Sequence, residues 1–216
     1  MARFLFPKIA NKARPSIVLL SVVTPVYAVA LVWYAFSPKT HEVNYAPAQP
    51  IPFSHALHAG ELGMDCRYCH HTVERTGVAA IPSTQSCMSC HHSIKTDSPD
   101  LRLLYESDET GKPIEWVRVH DLPDYAYFDH SAHVLAGVAC SSCHGRVDKM
   151  EKVMQVEPLS MAWCLECHRN PEPHIRPPEY VTVMEWESIL TGEKYTYTAQ
   201  ELPGVIPSQD CSACHR

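Results

Sequence analysis

The pentapeptide C-x-x-C-H occurs five times in this chain: Cys66-Cys69-His70, Cys87-Cys90-His91, Cys140-Cys143-His144, Cys164-Cys167-His168 and Cys211-Cys214-His215. These motifs use all ten cysteines. Two thiols three positions apart on one tight turn can form thioethers with the two vinyl groups of a haem, and the next residue then lies under the iron as an imidazole ligand. Structural zinc sites also use C-x-x-C pairs, but they have no need of a histidine after every pair, and an odd number of pairs leaves one unmatched. Disulfides and thioredoxin-like redox pairs do not call for that histidine either. The pattern therefore predicts five covalently attached haem c groups, with His70, His91, His144, His168 and His215 as proximal iron ligands.

Five porphyrins also explain the composition. The 216 residues include 18 prolines but only 5 phenylalanines and 8 glycines, so extended and irregular segments abound while large apolar side chains are scarce. Each macrocycle supplies a flat apolar surface that the chain need only wrap. The expected fold is mainly irregular, with short α-helices following the haem motifs and little or no sheet. Arg3, Lys8, Lys12 and Arg14 precede any acidic residue, and removing these four charges from the formal net of −6 leaves −10 for the remainder. An acidic body argues against nucleic acid as a partner, and it suits either a basic redox partner or a merely solvated surface.

Residues 17–36 read IVLLSVVTPVYAVALVWYAF, 20 residues without a charge. That is enough, at about 1.5 Å per residue, to cross a hydrocarbon core of about 30 Å. Basic residues lie before the run, and Trp33 and Tyr34 lie near its far end, at the headgroup level that aromatic rings favour. The positive-inside rule then leaves residues 1–16 as a basic cytoplasmic tail and puts everything after Phe36 outside. A cleaved secretory signal is the competing reading, and Ala28-Val29-Ala30 offers a small-x-small site. The apolar run continues past that site, which favours a retained transmembrane helix. Pro25 in its middle is tolerated where a helical neighbour or a nearby hydroxyl takes the freed carbonyl.

After a proline-punctuated linker, 37–52, the motifs are ordered. Phe53-Ser54-His55-x-x-His58 precedes two haem motifs and Phe128-Asp129-His130-x-x-His133 precedes two more, both histidines recurring 75 positions on. This divides the chain into a first dihaem module at 53–127, a second at 128–174, and an extension with the fifth haem at 175–216. The stretch 175–209 has no counterpart in the first module and reads as a partner-binding or packing insertion. Five low-spin haems need five further ligands from the nine remaining histidines. His55, His58, His130 and His133 are expected as distal ligands because they recur as pairs able to reach two irons from one turn. His120, in a rigid Pro-containing loop, is the expected fifth. His71 and His92, which follow proximal histidines, are reserves, and His41 and His174 read as structural or solvated. Met161, three residues before Cys164, is a further possible ligand, as are Met150 and Met154, although a methionine at such a place more often packs in a core.

The F-x-H-x-x-H run ahead of C-x-x-C-H resembles the small multihaem cytochromes of the c3 and c7 type, in which the two histidines are distal ligands to different haems. Longer runs carry a closer resemblance: Cys87-Met-Ser-Cys-His91 with Lys95-Thr-Asp-Ser-Pro99, Trp116-Val-Arg-Val-His120-Asp-Leu-Pro-Asp124 with Tyr127-Phe-Asp-His130, and Pro158-Leu-Ser-Met161-Ala-Trp-Cys164-Leu-Glu-Cys-His168-Arg169. From about Gln49 to the end the chain is similar to the pentahaem subunit of alternative complex III, a bacterial quinol:acceptor oxidoreductase. The resemblance implies partners: an iron–sulfur, molybdopterin-enzyme-like subunit, integral quinol-oxidising membrane subunits, and a monohaem cytochrome c or other soluble acceptor. It also leaves one haem, the fourth, open between histidine and Met161.

The expected role is electron transfer, with no catalytic residue of the chain's own. A stand-alone multihaem quinol dehydrogenase feeding a periplasmic reductase is the alternative. Against it, Cys66 lies 30 residues beyond Phe36, behind a linker that need not hold the first haem at the bilayer. A small-molecule reductase would need an iron with an open position, which the surplus of histidines disfavours.

Overall fold

The computed structural model describes residues 9–36, 42–186 and 206–215, in two units divided between Glu42 and Val43. Arg3 and Lys8 of the basic tail, His41, and 187–205 of the extension lie outside the described residues.

The first unit is built on one helix, α1 (Ile9–Ala35), whose residues are nearly all exposed. Its 27 residues span about 40 Å at the usual rise. It is the one described helix long and apolar enough to cross a membrane. It begins eight residues before the uncharged run, taking in Lys12 and Arg14, because the end of an apolar run marks where lipid stops suiting the side chains and a backbone helix continues past it. Pro15 and Pro25 both lie inside it, and the Ser21 hydroxyl donates to the Val18 carbonyl at 2.8 Å.

The second unit is a chain of short helices joined by irregular segments. They are α2 (Cys66–Cys69), α3 (Thr84–His91), α4 (Arg102–Thr110), α5 (His130–Leu135), α6 (Cys140–His144), α7 (Met161–Arg169) and α8 (Cys211–Cys214), with a π-helical turn at Ala56–Glu61. Among the described residues, extended pairing is limited to two isolated bridges, Ala126 with His215 and Val138 with Ile175. Each haem motif is helical or ends a helix, so the two cysteines fall on one turn with the histidine at its exit. Polar caps start three of these turns: Asp65 accepts from Arg67 N–H, Asp129 from Ser131 and Ala132 N–H, and Ser160 from Trp163 N–H. α4 braces α3 through Tyr105, whose hydroxyl donates to the His91 carbonyl at 2.8 Å, and through Gln85, whose amide donates to Asp108 at 2.7 Å. Gly111, with φ of 69°, ends α4 in the left-handed conformation that glycine adopts freely.

The packed core is small. Ile51, Leu104, Val134, Ala139, Met150, Ile175 and Val181 are the buried apolar residues described, while Leu62, Tyr68, Ile81, Ile94, Leu135, Met161 and Ile206 are exposed beside the motifs. Apolar surface left open next to each attachment turn is what a polypeptide that wraps flat apolar groups should present.

The linker and the extension are both bonded to this body. In the linker, Asn44 N–H donates to Gln155 O at 2.8 Å, and the Gln49 amide clamps Val117 with two backbone bonds of 2.9 Å. In the extension, Cys140 N–H donates to Val181 O, Arg176 N–H to Gly137 O, and the Thr182 hydroxyl to Asp65 at 2.8 Å. Residues 175–183 thus pack over the third motif and touch the first. A β-carbon at Gly137, φ 84°, would run into the Arg176 carbonyl, so this close approach needs glycine.

Candidate functional site

The two F-x-H-x-x-H turns have the same internal geometry. Phe53 meets His55 edge-on at 4.8 Å and 86° and lies over His58 at 4.3 Å and 26°. Phe128 meets His130 at 4.8 Å and 85° and His133 at 4.5 Å and 30°. The variable residue of the motif is a cap in both. The Ser54 hydroxyl accepts from Leu57 N–H and the Asp129 carboxylate from Ser131 N–H, while the Ser54 and Asp129 carbonyls accept from Nδ1 of His58 at 2.8 Å and His133 at 2.7 Å. Nothing singled out Ser54 or Asp129 as site residues in the sequence, although a Ser or Asp at the start of a helix was a readable signal.

Backbone carbonyls hold seven of the predicted imidazoles in one tautomer. Besides His58 and His133, Nδ1 of His70 donates to Ala80 O at 2.9 Å, His91 to Ile94 O at 3.1 Å, His130 to Gly77 O at 3.0 Å, His168 to Ser208 O at 2.6 Å, and His215 to Tyr125 O at 3.2 Å. A carbonyl carries no proton, so each Nδ1 must, and each Nε2 keeps its lone pair. A histidine that ligates a metal is commonly held in this way, its far nitrogen donating to a carbonyl while the near one keeps its lone pair for the metal.

The spacing of the rings fits a metal as well. An imidazole nitrogen lies roughly 2 Å from a first-row metal and roughly 1 Å from its own ring centre, so rings on opposite sides of one ion have centres roughly 6 Å apart. His58 and His91 are 6.2 Å apart, His130 and His144 are 6.4 Å apart and nearly parallel at 7°, and His133 and His168 are 6.1 Å apart. Among the described residues no cluster of three or more His, Cys, Asp or Glu is arranged around a metal ion. Pairs of imidazoles suit an iron whose other four ligands come from a porphyrin, so the residues present fit haem.

His55 has a buried Nδ1 without a hydrogen-bond partner. Burial, then the nearby imidazoles of His70 and His58, lower its pKa to about 4. His144 is pushed down to about 3 by burial and by His120, His130, His70 and His55 around it. Both rings are therefore neutral near pH 7, with a lone pair to give. His120 lies beside His144. Its ring stands edge-on to His144 at 4.5 Å, too close for a metal between the two, and its Nε2 is buried with no partner. The ring beside His215 is Tyr125, at 6.0 Å on the Nδ1 side. Met161 is exposed, His71 and His92 are exposed, and His174 lies in a short turn whose carbonyl accepts from Ala139 N–H.

The attachment turns lie close to one another. The Cys66 and Cys140 side chains hydrogen-bond, which with burial raises the Cys66 thiol. Burial and then Cys66 and Cys90 raise Cys69, and burial with Cys167 and Cys164 pushes Cys143 up to about 12.

Known proteins carry the same pattern. A family model described as cytochrome c7 and related cytochrome c matches residues 126–216, and one for the class III cytochrome C family matches residues 34–113. The chain is 33% identical over 114 residues to a 26 kDa cytochrome c3 of Desulfomicrobium norvegicum, covering 88% of that protein and 50% of this one. It is a multihaem cytochrome c of class III. As in that family, it carries covalently bound haem c, and its work is electron transfer. This class III cytochrome is also 37% identical over 121 residues to the multiheme cytochrome c subunit of a menaquinone reductase from Nitratidesulfovibrio vulgaris, the match covering 55% of each chain. The chain thus spans about half the length of that relative.

Proposed function

We propose that this cytochrome is the membrane-anchored pentahaem subunit of a quinol-oxidising complex of the alternative complex III type. It would relay electrons that leave the quinol site, by way of an iron–sulfur, molybdopterin-enzyme-like subunit, to a monohaem cytochrome c or other acceptor in the periplasm. Bound haem supplies one-electron chemistry at each site, and the chain's residues fix how many sites there are and what faces each. In this reading Cys66, Cys69, Cys87, Cys90, Cys140, Cys143, Cys164, Cys167, Cys211 and Cys214 carry five haems. His70 faces His55, His91 faces His58, His144 faces His130, and His168 faces His133. Met161 is then not needed at the fourth haem. The helix α1 is the single anchor in the inner membrane, with residues 1–16 cytoplasmic. The modules run 53–127 and 128–174, with 175–216 carrying the fifth site.

The observation that carries the reading is the set of three imidazole pairs at metal spacing, five of their six rings held through Nδ1 by a backbone carbonyl. The anchor helix and the menaquinone reductase relative support coupling to a membrane quinone pool. Affinity purification of the tagged chain from detergent-solubilised membranes tests the proposal. The expected result is co-purification with an iron–sulfur subunit and polytopic membrane proteins, and quinol oxidation by the assembly that the chain lacks alone. Quinol reduction of the isolated chain would instead establish the stand-alone dehydrogenase.

A further inference from the structure

The two modules dock on each other reciprocally. In the first module's F-x-H-x-x-H turn, Ala56 N–H donates to the carbonyl of Met150, six residues after His144, at 3.0 Å. Ser131 occupies the equivalent place in the second turn, and its N–H donates to the carbonyl of Thr76, six residues after His70, at 3.3 Å. His130 adds N–H and Nδ1–H bonds to Gly77 O of 3.2 and 3.0 Å. At Gly60 a β-carbon would collide with the Asp148 carbonyl, so the other half of the contact is equally close. Equivalent residues exchanging equivalent bonds are the mark of a two-fold axis. Cys66 and Cys140, the first cysteine of each module, meet each other across it.

We propose that the five haem sites, numbered by motif, stand in the spatial order 2–1–3–4–5, with 1 and 3 paired across this pseudo-twofold axis and 2 and 5 at the ends. Neighbours within a module follow from the turns, since His55 and His58 lie three residues apart and serve sites 1 and 2, as His130 and His133 serve sites 3 and 4. The axis joins 1 to 3. Site 5 attaches to site 4: His168 Nδ1–H donates to Ser208 O, three residues before Cys211. The fifth motif is also tied down on its other side, where Tyr127 N–H donates to Cys214 O at 2.6 Å. A redox protein meeting the cytochrome therefore finds a terminal site at α3 and another at α8, while sites 1 and 3 lie inside the row. This inference rests on the five-haem assignment above and not on the quinol-oxidising partners.

An iron-edge anomalous map of the haem-loaded full chain in detergent tests it. The expected result is five iron peaks in one row, nearest in turn to His91, His70, His144, His168 and His215. The double substitution Cys211→Ala with Cys214→Ala should remove one end peak and leave four related by two-fold symmetry, and Cys87→Ala with Cys90→Ala should remove the other end. If either variant misfolds, the parent map alone decides. An iron beside His144 at one end, or the iron at His91 directly beside that at His168, overturns the order. Five irons in the stated row within a complex that fails to oxidise quinol would sink the partner reading and leave the order standing.

Discussion

At His130 one proton is placed by a carbonyl from the other module, and the ring then faces His144 with Nε2 free. Replacing His130 with Ala removes one of two imidazoles at that site while leaving the thioethers of Cys140 and Cys143. The expected outcome is one high-spin haem per chain, seen by electron paramagnetic resonance, with the other haems unchanged. His120→Ala should leave the haem at His144 low-spin, because its ring stands too near His144 to share a metal with it. Acid stability turns on different residues. The Arg67 side-chain hydrogen bond holds Asp65 at about 2, below its ordinary 3.8. A depressed carboxyl stabilises the fold above its unfolded pKa and loses that contribution as pH falls through the folded one. The melting difference between the parent and Arg67→Ala should therefore be full above about pH 5 and vanish towards pH 2. Both partners are partly exposed, so the difference is small and shrinks with salt. The five motifs and the recurrence of His55/His58 as His130/His133 were legible from spacing, and both turns share one ring geometry. What His120 faces was not legible, because a rigid loop fixes a direction without saying towards what.

Among the elements, α5 shows how much a turn's position depends on its first residue. Asp129 accepts from the N–H groups of Ser131 and Ala132, and from the Ser131 hydroxyl at 2.6 Å. Asp129→Ala should lower stability by about 1 kcal/mol, the usual worth of an N-cap, measurable by denaturant melting. Asp129→Ser, which copies Ser54 of the first turn, should restore most of it. The apolar helix α1 was legible from its uncharged run, whereas its start at Ile9 was not. The extension was legible only as an insertion, because Val181 and Ile175 are ordinary apolar residues whose burial against the third motif depends on contacts distant in sequence.

On the scale of the whole molecule, the scarcity of buried apolar side chains decides how the protein folds. The seven among the described residues fall far short of the conformational entropy of ordering such a chain, roughly 1–2 kcal/mol per residue. Haem must supply the missing contacts, so a chain exported without haem attachment should stay expanded and be cleared by proteases, as limited proteolysis and circular dichroism would report. Deleting residues 1–36 should release a haem-loaded body from the membrane fraction with its visible spectrum intact. The lack of strands among the described residues was legible in the proline content and the motif count. The pairing of the modules was not, since the carbonyls of Thr76, Gly77 and Met150 that join them belong to the backbone, which sequence pattern does not mark.

That pairing limits how such a conductor can change length over evolutionary time. Each half stands on a ledge that only the other half provides, so losing either one would strand the survivor's histidines without footing. Adding a unit beyond α7 leaves the shared ledge alone, and the solitary motif at α8 occupies just such a place. Growth outward from a fixed centre, one pigment at a time, is the route that this architecture leaves open.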